Sequence, residues 1–542
     1  MSGWPAQPVI YEVNTAVWLT ELARRYSRRM TLGDVPTEAW DEVALPGVDA
    51  IWLMGVWERS PAGLRIALGN QALQASFREA LPDLRPLDVV GSPYCVRRYV
   101  VDDALGGPDG LAAARAELSR RGLRLLLDYV PNHVAPDHPW VGEHPEHFVR
   151  GDVADLERSP DAFIEAAGNV LALGRDPYFP PWPDVVQLNA FNEQLRTATA
   201  DTLSTIGDQC DGVRCDMAML VMNDIFAKTW GDRVGAAPAA DFWPQVITGV
   251  RQRHPDMLFV AEAYWDLEWA LQQQGFDYCY DKRLYDRLLH EAPDSVGAHL
   301  RADIAYQQRL VRFLENHDEP RAATSMPRDQ ERAAAVVIST LPGATLWHEG
   351  QFEGRRVRSP VFLARRVDEP TDPELRGFHH QLLAAVHGAG MRSGEWRVLD
   401  CTGWPDNPTH HNLLAWCWRA DTRRHVIVVN LSDRPAQARV PLPWPEMAGS
   451  QWRLSEVLGD AEYDHGGDEL VDPGLFVALG GWGWHVLSLA REHRGGRTPR
   501  GVLVRVLQRI LALTTAIWHN DHARAARQTV TTGPTTTDTP WN

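Results

Sequence analysis

A chain of 542 residues, 44% hydrophobic and 23% charged, is long enough to bury a large core and to form two or three domains. Its formal net charge of −17 argues against a nucleic-acid groove and against attraction to an anionic membrane surface, and it suits a neutral substrate. The opening Met1-Ser-Gly-Trp-Pro-Ala-Gln-Pro has no basic flank followed by a long apolar run, and no segment reaches the roughly 20 apolar residues that span a bilayer, so the chain reads as cytoplasmic. The six cysteines (Cys95, Cys210, Cys215, Cys279, Cys401 and Cys417) include no CxxC pair. A domain of this size does not need disulfides, and Cys215 reads as a free buried thiol.

Eight apolar runs predict strands: Val9–Asn14, Ala50–Gly55, Leu123–Asp128, Asp211–Asp216, Leu258–Glu262, Phe276–Tyr280, Val311–Leu314 and Ala344–His348. Between them lie amphipathic patterns such as Leu111–Leu118, introduced by Pro108-Asp109, residues that belong in a helix's first turn. Strands alternating with helices predict an α/β fold with a parallel sheet, and eight such units predict a closed (β/α)8 TIM barrel over 1–133 and 211–390. The widest gap, 134–210, is rich in Pro, His and Asp and predicts an inserted lobe beside the barrel mouth, between strands three and four.

From about Met391 the texture changes to short alternating runs (Val426–Asn430, Ala438–Leu442, Trp484–Leu489) separated by turn residues such as Gly480-Gly481. This predicts a C-terminal antiparallel β-sandwich over 391–492. Residues 493–542 predict an amphipathic helix, Val502–Trp518, and a disordered Thr-rich tail, Thr531–Thr539. The helix would pack on the sandwich or meet a partner. Its Arg509–Asn520 stretch also resembles the C-terminal end of some transposases, in which case the tail carries no function.

Chemistry concentrates at the strand ends. In Asp211-Gly-Val-Arg-Cys-Asp216 a strand's alternation turns Val213 and Cys215 one way, Arg214 and Asp216 the other. Such a charged pair is costly to bury unless the ions meet each other or a ligand. Leu258-Phe-Val-Ala-Glu262 and Phe313-Leu-Glu-Asn-His-Asp318 add two more acidic ends. One such Asp alone reads as a cap or ion-pair partner; three at the C-terminal ends of strands four, five and seven read as a catalytic floor. Neighbouring strands lie about 4.8 Å apart, which suits the roughly 5–5.5 Å carboxylate separation of retaining glycosidases. Arg214 would favour an anionic, nucleophilic Asp216. Glu262, between Phe259-Val-Ala261 and Tyr264-Trp265, would keep the proton a general acid needs. Asp318 would grip hydroxyls or stabilise positive charge at the anomeric carbon.

Four segments, Asp128-Tyr-Val-Pro-Asn-His133, Gly212-Val-Arg-Cys-Asp216, Ala261-Glu-Ala-Tyr264 and Leu314-Glu-Asn-His-Asp318, resemble the signature strand-end motifs of the α-amylase family, glycoside hydrolase family 13. Their order and their places on strands three, four, five and seven match, and the similarity runs over residues 8–490. The resemblance implies that Asp216 is the nucleophile, Glu262 the acid/base and Asp318 the transition-state stabiliser. Arg214 would hydrogen-bond the nucleophile, His133 and His317 would hold sugar hydroxyls, Arg321 would lie near the same subsite, and Tyr94 would be an aromatic platform or else a core tyrosine. Gln187-Leu-Asn189 is similar to the family's fifth motif.

Where many family members carry Lys-His after the nucleophile, this chain has Met219 and Leu220. In the family the Lys helps the leaving-group sugar and the His backbone helps hold a structural calcium, and the resemblance carries neither role over to Met219 and Leu220. Asn132 is a candidate calcium ligand, but one oxygen ligand does not make a site, and no metal or cofactor is expected. His379-His380 and His410-His411 read as surface or packing residues. The resemblance implies hydrolysis of α-glucosidic bonds in oligosaccharides or α-glucans, with a transglycosylase, glucanotransferase or isomerase on the same residues as the alternative, and a non-catalytic carbohydrate-binding barrel as the reading from a different class.

Overall fold

Eight parallel strands close a barrel in the computed structural model, which describes residues 3–492. They are β1 (Val9–Asn14), β2 (Ala50–Met54), β3 (Arg124–Tyr129), β4 (Gly212–Cys215), β5 (Leu258–Ala261), β6 (Tyr278–Tyr280), β7 (Leu310–Arg312) and β8 (Ala344–His348). Each pairs with its neighbour in sequence, and β8 closes onto β1 through Val9↔Thr345 to Glu12↔His348. The strands are apolar on both faces because both are covered. Ile10, Trp52, Leu126, Val260, Tyr280 and Leu346 fill the interior. Ile51, Leu53, Leu125, Leu127, Val213 and Phe259 face the surrounding helices.

Helix Gly107–Arg120 carries Pro108 and Asp109 in its first turn and buries Leu111, Ala114 and Leu118. Helix Arg328–Thr340 is buried almost all round from Ala333 to Thr340, the signature of a helix packed on two sides. At its end Trp418 Nε1 of the C-terminal sheet donates to the Thr340 carbonyl at 2.8 Å.

After β3 the chain builds small antiparallel pairs, His133–Val134 with Val186–Gln187 and Phe163–Ala166 with Asn169–Ala172. The second turns through Ala167 and Gly168, both at positive φ, as a two-residue hairpin requires. Val134, Val141, Phe148, Leu171, Val186 and Leu188 make a separate core beneath them. The stretch 134–210 also holds helix Glu193–Gly207, whose Leu203 and Ile206 join the main core with Val246, Ile247 and Val250 of helix Phe242–Arg251. Helix Glu193–Gly207 is the barrel's own connection into β4, so the small sheets and their loops occupy the part before it.

The C-terminal strands are β9 (Glu395–Leu399), β10 (Leu413–Ala420), β11 (Arg423–Asn430), β12 (Ala436–Val440), β13 (Gln451–Glu456), β14 (Glu462–Gly466), β15 (Leu475–Leu479) and β16 (Trp484–Arg491). A six-stranded antiparallel sheet runs β9-β10-β11-β16-β13-β14, and β12 pairs with β15. Ala415, Val426, Val428, Ala438, Val440, Val477 and Leu487 form the core between the two. Trp416, Trp418, Ile427 and Val429, on the opposite face of the larger sheet, join the barrel's core. All six cysteines are free thiols. Among the described residues no helix is long and apolar enough to cross a membrane. The helix and tail predicted for 493–542 lie outside the described residues.

Candidate active site

β4 and β5 end side by side, with Cys215 and Ala261 in register. The ladder carries one residue further: the Asp216 amide donates to the Tyr129 carbonyl at 2.8 Å and the Glu262 amide to the Cys215 carbonyl at 3.0 Å. Asp216 and Glu262 therefore stand next to each other at the barrel's C-terminal face. Arg214 lies beneath them, 1% exposed. Its Nη1 donates to Asp216 Oδ1 at 2.6 Å, and its Nη2 lies 2.7 Å from Glu262 Oε2. The sequence pairs Arg214 with Asp216 alone; in the fold one guanidinium serves both carboxyls. The rings of Trp52, Tyr94 and Tyr280 stand 5.3, 5.3 and 5.8 Å from its carbon, replacing some of the lost hydration by cation–π attraction.

Glu262 is buried, with Oε1 accepting from the Tyr264 hydroxyl at 2.9 Å and Oε2 from the Met217 amide at 2.6 Å. Burial pushes its carboxyl up to about 7 against the pull of Arg214, with help from the negative charges of Asp216 and Asp318. A group poised there can give and take a proton near neutrality. Met217 has φ +41°, a left-handed conformation that costs a non-glycine residue on the order of 1 kcal/mol, and it directs the amide at Glu262. The following turn, Ala218–Val221, is wholly buried. Met219 and Leu220 thus give this turn apolar packing.

Asp318 is not at a strand end. β7 stops at Arg312, and the chain leaves the ladder in an Asx turn, with Asn316 Oδ1 accepting from the amides of Asp318 and Glu319 at 2.9 and 3.0 Å. The Asp318 side chain is 45% exposed at the cleft. Its Oδ2 lies 2.9 Å from His317 Nε2 and 4.0 Å from Arg214 Nη2. Desolvation in the cleft opposes its charge, but His317 outweighs it and holds the carboxyl down to about 2. His317 Nδ1 in turn bonds Glu12 Oε1 at 2.5 Å. Burial disfavours charge on the imidazole, yet Asp318 and Glu12 together raise its pKa well above the ordinary value, so it is an imidazolium at neutral pH. Sequence reasoning missed Glu12, although the signal was there: Val9-Ile-Tyr-Glu-Val-Asn14 carries a lone charge in an apolar strand, as the Arg214 strand does.

Tyr94 joins this group. Its hydroxyl is 2.7 Å from His317 Nε2 and its ring stacks on the imidazole at 5.4 Å. His133 is buried beside Trp182 at 5.2 Å, and burial, partly offset by Asp216, lowers its pKa to about 4, leaving it neutral. Gln187 ties the predicted fifth motif to the β3 loop: its Nε2 donates to the Asn132 carbonyl at 2.8 Å and to Asn132 Oδ1 at 2.9 Å.

Arg321 is placed differently from its expected position at the same subsite. It is 3% exposed and its Nη1 donates to Glu315 Oε1 at 2.6 Å, to the Glu349 carbonyl at 2.8 Å and toward His348 Nδ1 at 2.9 Å. Glu315 is wholly buried and needs a counter-ion, so the arginine braces the loop from behind. Besides Arg214, Arg358 reaches Asp318, donating to its backbone carbonyl. His379 packs against Trp347 and Phe352, while the rings of His410 and His411 meet at a tilt, 4.0 Å apart, near the surface.

On the Glu262 side, Trp265 meets the edge of Tyr178 at 4.9 Å, and the Tyr178 hydroxyl accepts from Lys228 Nζ at 2.7 Å. Tyr178 and its neighbour Phe179 are 56% and 67% exposed.

No protein-family model matches the chain. An α-amylase of Haloarcula japonica is 25% identical over 479 residues, 85% of this chain and 61% of that protein. An α-1,4-glucan:maltose-1-phosphate maltosyltransferase of Streptomyces coelicolor is 30% identical over 399 residues, 69% of this chain and 53% of that protein. The chain thus spans less than two thirds of the length of either relative. Among solved structures, a maltogenic α-amylase from Thermotoga neapolitana shares the fold with a TM-score of 0.62 at 18% identity, over 89% of this chain and 98% of that one. The α-amylase of Geobacillus thermoleovorans does so with a TM-score of 0.62 at 17% identity, over 91% and 100%. With its closed barrel and the four motifs in order, the chain is similar in sequence to these α-amylase and maltosyltransferase relatives and shares the fold of the solved α-amylases.

Proposed function

We propose that the protein is a retaining glycosidase that cleaves α-glucosidic bonds of oligosaccharides by double displacement. The observation that carries this reading is the single guanidinium of Arg214 spanning Asp216 and Glu262. It hydrogen-bonds one carboxyl, Asp216, beside another, Glu262, whose pKa burial raises to about 7, an arrangement that suits the two roles of a retaining pair. Protonated Glu262 gives its proton to the glycosidic oxygen as that C–O bond breaks. An Asp216 oxygen bonds the anomeric carbon from the opposite face, forming a β-glycosyl ester. Glu262, now a carboxylate, takes a proton from water, whose oxygen displaces Asp216 and restores the α configuration. Asp318 and the His317 imidazolium hold the hydroxyls of that sugar, and Tyr94 lies under its ring.

A sugar hydroxyl in place of water gives transfer instead of hydrolysis. The exposed ring of Tyr178, which meets Trp265 three residues past Glu262, favours this second reading, because a stacking surface there would hold an acceptor. The maltosyltransferase relatives are compatible with it. The proposal leaves calcium out: Asn132 Oδ1 already accepts from Gln187, and calcium takes six to eight oxygens. The proposed enzyme therefore works without it, in the cytoplasm.

The test is incubation with malto-oligosaccharides, trehalose and sucrose, with and without an acceptor, following the anomer released. Retained configuration is expected. Inverted product would defeat the mechanism, undiminished turnover in Asp216→Asn would defeat the nucleophile, and no cleavage of any sugar would favour a binding barrel.

A further inference from the structure

We propose that His144, Glu146 and His147 form a binding site for a divalent ion of the zinc class, in the segment after β3. The chain leaves the short helix Trp140–Glu143 and makes a tight turn over Pro145–His147. This turn brings two imidazoles and a carboxylate together. The rings of His144 and His147 stack at 4.9 Å with 16° between their planes, and His144 Nδ1 is 3.1 Å from Glu146 Oε1. One ligand atom from each of the three lies within 4.8 Å of the others.

A second observation points to a ligand. His147 is 4% exposed, is held by the edge of Trp140 at 5.2 Å, and its buried Nδ1 has no hydrogen-bond partner. A buried ring nitrogen without a partner is destabilising unless something supplies one. Tetrahedral zinc, with Zn–N near 2.0–2.1 Å, brings its ligands to about 3.4 Å from one another. His144 and Glu146 are exposed and free to close onto an ion anchored at His147. Two imidazoles and one carboxylate suit zinc, cobalt or nickel, and suit calcium or magnesium poorly.

The turn is fastened to the segment that carries Gln187. The Asn189 amide donates to the His147 carbonyl at 2.7 Å, and Asn192 Nδ2 donates to the Glu146 carbonyl at 3.0 Å. Through Gln187 that segment holds Asn132, next to His133. The ion would therefore brace these loops and act on stability, without entering the chemistry. This assignment does not depend on the glycosidase reading.

The test uses the full chain without a histidine tag, stripped by chelator and titrated with Co²⁺ alone, then with Zn²⁺. Expected are one Co²⁺ per chain with visible bands of nitrogen coordination, its displacement by Zn²⁺ but not by Ca²⁺, and a melting temperature raised by several degrees at saturation. His144→Ala and Glu146→Gln alter exposed side chains and should keep the circular dichroism while weakening Co²⁺ binding at least tenfold. No stoichiometric binding would overturn the proposal. Equal binding in both variants would do so too, since the ion would then sit elsewhere among the 20 histidines.

Discussion

Glu12→Gln asks whether a charge buried behind His317 reaches the reacting sugar. Glu12 is wholly buried and pairs with His317, which pairs with Asp318 at 2.9 Å. The variant keeps the shape of the side chain and removes its charge. A charge-assisted hydrogen bond contributes about 1.5–3 kcal/mol. Without it the His317 pKa falls toward its ordinary value, and Asp318 loses part of the imidazolium that holds its carboxyl down to about 2. At about 1.4 kcal/mol per decade, kcat should fall roughly 10- to 150-fold. The two titrations have definite signs. His317 pKa is raised in the parent, so its charge is lost at lower pH in the variant; Asp318 pKa is lowered in the parent, so the acid limb of the rate profile moves up in pH.

Steady-state rates on the best sugar of the panel, over pH 3–9, measure the first effect, and the His317 ring signals by NMR measure the second. Calorimetry of the variant separates misfolding from lost positioning. A kcat within twofold of the parent, with the His317 titration unmoved, would refute the relay from Glu12.

On the proposed mechanism Glu262 acts as an acid only while protonated, so with its carboxyl pushed up to about 7, kcat/KM should fall about tenfold per pH unit above that value; a profile flat to pH 9 would remove Glu262 from the acid role. Tyr178→Ala should lower transfer to an added acceptor sugar about fivefold, for roughly 1 kcal/mol of stacking, and leave hydrolysis little changed; product chromatography with a labelled acceptor reads the ratio, and an unchanged ratio would place the acceptor elsewhere. Trp418→Ala removes a wholly buried ring and its bond to Thr340, and should cost about 3–5 kcal/mol in urea unfolding; a loss under 1 kcal/mol would mean that the sheet and helix Arg328–Thr340 support each other little. Prolonged chelation of the purified protein should leave turnover unchanged if calcium has no place beside Asn132, and a loss restored by Ca²⁺ would reverse that assignment.

What the sequence made legible was one half of each buried charge interaction. The strands could be read because all eight are apolar runs, and Arg214 and Asp216 stood out because charge in such a run demands a partner. The partner itself was legible only when it lay on the same strand. Glu262 reaches Arg214 through the register of β4 against β5, and Glu12 reaches His317 across 305 residues because β8 closes onto β1. Neither contact has a local signature. Arg321 shows the converse: its place in a motif named the residue, but the buried carboxylate of Glu315 decided where the side chain went. Asp318 lies past the strand that ends at Arg312, in a turn in which Asn316 Oδ1 accepts from its amide, and an apolar run alone does not show where the ladder stops. The lobe boundary was read too late in the chain for a related reason, since polar composition does not distinguish an inserted loop from a half-exposed barrel helix such as Glu193–Gly207. An unpaired charge in an apolar strand therefore locates a site from sequence, and barrel closure decides which charges share it.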